Sequence, residues 1–209
     1  MTAPEVELRA VWRQLAGTQH ERLLDELLAA HRQPHRRYHN ATHVMWVLRH
    51  IAALVAAGEP VTDMAAVQLA ALYHDVVYDP QATDNEARSA ALAAAAAADL
   101  GWPAARATAV AQLVQATVGH TADGPDDAVL IDADLAILGA SPAEYTAYVH
   151  GVRTEYAHVP DAAWRTGRAQ VLHRFLDRPR LFLTETMQHE RGARARANLA
   201  AELATLSAA

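Results

Sequence analysis

The chain has 209 residues, 52% hydrophobic and 20% charged, values that exclude a disordered tail or a fibrous repeat and predict one compact domain over residues 1–209. All 18 basic residues are Arg and Cys is absent, which excludes disulfides, thiolate zinc, iron-sulfur clusters, a Cys nucleophile, a P-loop lysine and Schiff-base chemistry. The net charge of -6 is unevenly placed, with 9 Arg against 18 acids in residues 1–149 and 9 Arg against 6 acids in 150–209, and the acidic whole argues against nonspecific nucleic-acid binding.

Apolar residues recur at i, i+3 and i+4 along almost the whole chain, so the expected fold is all-α, a multi-helix bundle without strands. The opening MTAPEVELRAVWRQL has no basic start followed by an apolar run, so no leader is expected. Thr18 with Glu21 reads as a capping box opening a helix that Pro34 stops. After the basic link HRRYH, Asn40 caps a helix with the face Val44, Val47, Leu48, Ile51, Leu54 and Val55, ended near Gly58. Thr62 starts another helix, which carries Leu69, Leu72 and the pair His74-Asp75 into the loop VVYDPQA. Thr83 and Glu86 form a second capping-box pattern before the alanine tract that Gly101 ends.

Pro103 begins a helix to Thr117, and Asp126 or Asp127 caps AVLIDADLAIL. Ser141, Pro142 and Glu144 open a helix to about Tyr156, Asp161 opens one to about Leu176, and the last runs from about Met187 to Leu206. No segment approaches ~18 uncharged apolar residues, so the protein is expected to be cytoplasmic, with no membrane partner. The alanine-lined helix faces could mediate a homodimer.

Ser occurs only at 89, 141 and 207, none in a nucleophile elbow, so the chemistry rests on His, Asp and Glu. There are 12 His, and several fall where loops meet helix ends. His39 and His43 bracket a helix start in YHNATH, and His74-Asp75 sits beside Leu72, Val76 and Val77, where two polar groups are costly to bury unless paired or ligated. Imidazole nitrogen and carboxylate oxygen together suit a divalent transition metal: Mn, Fe, Co, Ni or Zn. The spacing His39-x-x-x-His43 lacks the Glu of a zincin, because Asn40 follows His39.

A His in one helix, a His-Asp pair about 30 residues later and an Asp in a further helix resembles the HD superfamily of metal-dependent phosphohydrolases; here these are His43, His74-Asp75 and Asp134. The strings YHNATH, ALYHDVVYD, DNEARSA, IDADLAILGA, VRTEY, GRAQVL and ERGARARANLAAEL together look like one small bacterial branch of that superfamily, over nearly the whole chain. The YHN-x-x-H element is also similar to cyclic nucleotide phosphodiesterases. That resemblance implies His39 as general acid and His43 as first metal ligand, with His74, Asp75 and Asp134 completing the set. Between the two acids of IDADL, Asp134 shares a face with Leu130, Ile131 and Leu138, whereas Asp132 lies about 160° around the helix, as a supporting partner or substitute ligand.

Other residues carry two readings. Asn85 and Glu86 could orient a water or take a proton, though Glu86 is equally a capping residue. His120 could bind phosphate or a second metal, or stabilise a helix C-terminus. Arg153, Arg168 and Arg178 could grip phosphate, but Glu155, Asp161 and Asp177 lie near enough for structural pairing. Glu190 and Arg194 read as an intrahelical pair, with Asn198 beyond. The expected activity is hydrolysis of a small phosphorylated substrate, a nucleotide by resemblance, by water activated at the metal, with Mg as an optional second ion. A metal-containing nucleotide sensor and a di-iron oxygenase are the alternatives.

Overall fold

The structure is a computed structural model that describes residues 3–208. Ten α-helices follow in chain order: α1 (Ala3–Ala16), α2 (Glu21–His31), α3 (Ala41–Ala56), α4 (Met64–Tyr73), α5 (Asn85–Asp99), α6 (Ala104–Gly119), α7 (Pro125–Leu135), α8 (Pro142–Glu155), α9 (Asp161–Leu176) and α10 (Glu185–Ala208). A 3-10 turn, Ala136–Gly139, extends α7, and no strand occurs among the described residues. The fold is therefore all-α, as the periodicity predicts. No described helix is long and apolar enough to cross a membrane.

One cluster of buried apolar side chains draws on all ten helices. Its centre is α4, whose residues Ala66, Val67, Leu69, Ala70, Ala71, Leu72 and Tyr73 are buried. A helix that is apolar all round belongs in the interior, and each fully buried Leu stabilises it by about 1.5–3 kcal/mol. The consequence for chemistry is direct: whatever follows Tyr73 leaves the core from its middle, so His74 and Asp75 begin inside the protein. Helix α3 packs on α4 and buries Val44, Val47, Leu48, Ile51 and Leu54, and α7 lies against both. The alanine-rich α5 presents Ala90, Ala93, Ala96 and Ala97 inward and runs close along α6.

Several caps differ from the sequence expectation. Asn40 does cap α3, accepting from the Thr42 N–H at 2.9 Å, and Ser141 with Glu144 forms the expected capping box on α8. Thr18 does not cap α2, which starts after His20 without a side-chain cap. Asp63, not Thr62, caps α4, because its carboxylate reaches the Ala66 N–H and is pinned by a forked bond from Arg106. The Thr83–Glu86 box is absent; Asn85 instead closes the preceding loop, exchanging hydrogen bonds with both backbone groups of Asp79. Asp126 does not cap its own helix but accepts from the Thr62 and Asp63 N–H groups before α4.

Helices α7 and α10 finish each other. Asp132, fully buried, accepts from the Leu183 and Thr184 N–H groups and from the Thr184 hydroxyl, which caps the start of α10. In return, one face of α10 takes the carbonyls at the end of α7: Arg191 donates to Ala136, Arg194 to Gly139, and Asn198 to Leu138 and Ala140. The expected Glu190–Arg194 pair is replaced by the Gly139 contact. Gly139 is required here, since an added Cβ would stand 2.5 Å from the Cβ of Arg191.

One buried titration should show in stability. His31, in the last turn of α2, has its pKa pushed down to about 3, by burial first and by the Arg36 charge second, with Asp75 opposing. A depressed imidazole binds fewer protons folded than unfolded between about pH 3 and 6.5, so its contribution to stability falls as pH drops through that window. Urea unfolding at pH 6.5 and pH 5 should show the wild type losing about 2 kcal/mol more than His31→Asn. Equal losses would contradict the assignment.

Candidate metal centre

Three helices deliver the centre. Asn40 fixes the first turn of α3, which sets His43 one turn inside and His39 just outside the helix start. His74 ends α4 and folds its ring back so that Nδ1 lies 2.8 Å from the Ala71 carbonyl. A carbonyl only accepts, so Nδ1 carries the proton and, in the neutral ring, the lone pair of Nε2 points into the centre. Asp134 arrives from α7 and Asp75 follows directly on His74.

The ligating atoms of His43, His74 and Asp75 lie within 4.8 Å of one another, and this group could hold a metal ion. His43 Nε2 stands 3.1 Å from His74 Nε2 and 3.5 Å from Asp75 Oδ2, and His74 Nε2 is 3.2 Å from the same oxygen. Asp134 is outside that trio, yet its Oδ1 comes to 3.2 Å from His43 Nε2 and 3.6 Å from His74 Nε2. Donors about 2.1 Å from a shared dication stand roughly 3.0 Å apart at a right angle and roughly 3.4 Å at the tetrahedral angle. The donor set and spacing fit a transition-metal ion. Burial disfavours every charged form here, but the opposed charges and hydrogen bonds outweigh it. They hold both carboxyls well below their ordinary range and raise both imidazoles, so the pocket is built to retain positive charge.

The link between α2 and α3 is held by two buried ions. Arg36 donates to the carbonyls of His39, Asp75 and Val76, at 3.1, 2.6 and 2.9 Å, tying the link to the His-Asp corner. Glu155, at the end of α8, accepts from the N–H groups of Arg37, Tyr38 and His39 with one oxygen, at 2.7, 2.7 and 3.0 Å. Its other oxygen receives His39 Nδ1 at 2.7 Å and the Tyr78 hydroxyl at 2.8 Å. Burial raises the Glu155 pKa, but the His39 bond and charge and the backbone donors outweigh it and bring it down to about 2. His39 also stacks on Tyr78 at 4.3 Å between ring centroids, and its ring stands 5.7 Å from that of His43.

The remaining candidates divide. His120 ends α6 in the left-handed region at φ 50 and places Nε2 3.9 Å from Asp134 Oδ2. Arg178 holds it there by donating to the Gly119 and His120 carbonyls, so Arg178 is a positioning residue for this turn rather than a partner of Asp177. Glu86 is half-buried in the first turn of α5 and makes no hydrogen bond or ion pair with the four centre residues; its charge is felt by Tyr156. Arg153 ties α8 to α9 through the Tyr156 and Val159 carbonyls and Asp161. Arg168 is buried in a forked pair with Glu202, at 2.7 and 3.0 Å, and donates to the Tyr148 hydroxyl. Both arginines are structural. Asp132 is occupied with α10 and is not a substitute ligand.

Arg36, Glu155 and Tyr78 are the residues that sequence reasoning missed. The only signal for Glu155 was its place in VRTEY, where it reads as a partner for Arg153; its actual partners lie 77 to 118 residues away.

No family model, no curated protein and no solved structure matches the chain. The two acids of IDADL give a test of the geometry on its own terms. Asp134→Ala should lower the metal retained after dialysis at least tenfold with the fold intact. Asp132→Ala should keep the metal but lose about 2–3 kcal/mol of stability, because it orphans buried donors. Elemental analysis with thermal unfolding reads both, and metal loss in Asp132→Ala alone would reverse the assignment.

Proposed function

We propose that the protein hydrolyses a phosphate ester or anhydride of a small metabolite, using a dication held by His43, His74, Asp75 and Asp134 and a proton delivered by His39. The observation that carries this reading is the pairing of a metal-type donor set with a separate imidazole that a buried carboxylate holds by its far nitrogen. The likeness of the same residues to the HD superfamily supports it. A dication bound there would polarise a phosphoryl oxygen and lower the pKa of water.

The chain's own residues do the rest. Glu155 remains ionised at neutral pH and accepts a hydrogen bond from the Nδ1–H of His39, so a second proton on that ring resides on Nε2 and is available to a departing alkoxide. Tyr78 packs flat against the ring and shares the same carboxylate oxygen, which fixes the ring plane. No protein nucleophile is needed, in keeping with the absence of Cys and of an elbow serine. His43 and Asp134 form one wall of a cleft of about 410 Å³, so a phosphoryl group entering the cleft meets two of the four donors.

The test is phosphate or pyrophosphate release from a panel of nucleotides and phosphomonoesters with Mn, Co, Ni and Mg. Turnover should vanish in His74→Ala and Asp75→Ala. His39→Ala should retain the metal while kcat falls about 10²–10⁴-fold. Absence of turnover across the panel, or His39→Ala with unchanged kcat, would contradict the proposal.

A further inference from the structure

The cleft beside the metal centre is not a plain apolar slot. Trp46, Val47, Ile137 and Tyr148 line it, and so do Arg191, Arg37, His43 and Asp134. Arg191 is half-buried, and among the described residues its guanidinium makes one hydrogen bond, a long one of 3.4 Å to the Ala136 carbonyl. No carboxylate lies within ion-pair distance of it among the described residues; Glu144, which shares the cleft, is committed to Ser141. The Arg37 side chain is exposed and its guanidinium makes no hydrogen bond or ion pair among the described residues; its backbone N–H donates to Glu155. Most other arginines of the chain are matched to a carboxylate or to several carbonyls, as Arg36, Arg153, Arg168 and Arg196 are.

A second observation places the Arg191 charge inside the cleft. His50 lines the same cavity one turn beyond Val47 on α3, and its pKa is pushed down to about 4 by burial and then by Arg191, with Glu144 opposing. The ring is therefore neutral at pH 7 and adds no second positive charge beside the guanidinium, which Glu190 and Glu144 offset only through space. The close packing of α10 over Gly139 brings this about, because only a residue without a side chain admits the Cβ and backbone of Arg191 at that spot. A half-buried guanidinium with no carboxylate in direct contact gains from a ligand that brings one to it.

We infer that Arg191, with the exposed Arg37, forms a second oxyanion-binding pole, so that the preferred ligand carries one phosphoryl group at the metal and another oxyanion at Arg191. This inference rests on the reading of the cleft as a substrate site. The chemistry of a guanidinium fork takes either phosphate or carboxylate as the second group.

Two matched pairs of probes test it: adenosine 3′,5′-bisphosphate against adenosine 5′-monophosphate, and 3-phosphoglycerate against glycerol 3-phosphate. Calorimetry on the manganese-loaded protein should show at least one probe with two oxyanionic groups binding tenfold or more tightly than its partner with one, and the pair that does so identifies the second group. In Arg191→Gln, which keeps the Cβ that packs on Gly139, that ratio should fall at least tenfold, with Arg191→Lys intermediate. Where turnover occurs, the change should lie in KM rather than kcat. A ratio unchanged in Arg191→Gln, or binding of neither probe of both pairs, overturns the inference. A ratio that behaves as expected without any turnover upholds the second pole and overturns the proposed reaction, and turnover of the probes with one oxyanionic group, with no preference, does the reverse.

Discussion

Four electron-rich atoms share one buried corner, and that arrangement governs the rest of the molecule. The Nε2 atoms of His43 and His74 and one oxygen each of Asp75 and Asp134 face inward at 3.1 to 3.6 Å. Lone pairs and ionised carboxylates brought this close, out of water, repel unless positive charge lies among them. Protons on the imidazoles can supply it, and so can a dication, which the spacing fits. The apolar α4 determines where this happens, because burying that helix on all sides forces the residues after Tyr73 to emerge within the core.

The corner is kept open by ions placed around it rather than in it. Arg36 gathers carbonyls from both sides of the centre, and Glu155 gathers three consecutive N–H groups of the link that precedes α3. Each satisfies backbone groups that an irregular segment leaves without helical partners. The Glu155 end of this network also sets the ring of His39. Farther out, Arg168, Glu202, Tyr145 and Tyr148 form a second buried set, and the Tyr148 ring lies edge-on to Tyr38 at 4.7 Å. Helix α10 thus supports the site from behind while its Arg191 reaches the cleft.

Much of this was legible in the sequence because local rules generate it. Apolar spacing predicts the helices, and the cap at Asn40 and the box at Ser141 form as their residue types require. Helical phase sends Asp134 and Asp132 to different faces of α7, but both faces are covered: Asp134 meets the centre, while Asp132 is fully buried against the start of α10. The errors cluster where a tertiary partner outcompetes a local one. Thr62 loses the cap of α4 to Asp63, which Arg106 holds in place, and Thr83 loses α5 to the Asn85 clasp on Asp79. Arg194 leaves Glu190 for the Gly139 carbonyl. Arg36 and Glu155 were beyond reach for the same reason: a basic link and a helix-terminal acid disclose nothing about which distant carbonyls and N–H groups need them. His120 was visible as a helix-end histidine, but its left-handed conformation depends on Arg178, which lies 58 residues away.

The most direct measurement is the anomalous-difference map of a crystal of the manganese-loaded protein. The account predicts a peak within about 2.3 Å of His43 Nε2, His74 Nε2 and the near oxygens of Asp75 and Asp134. A map with no peak in that corner, or with manganese held only elsewhere on the chain, would contradict it.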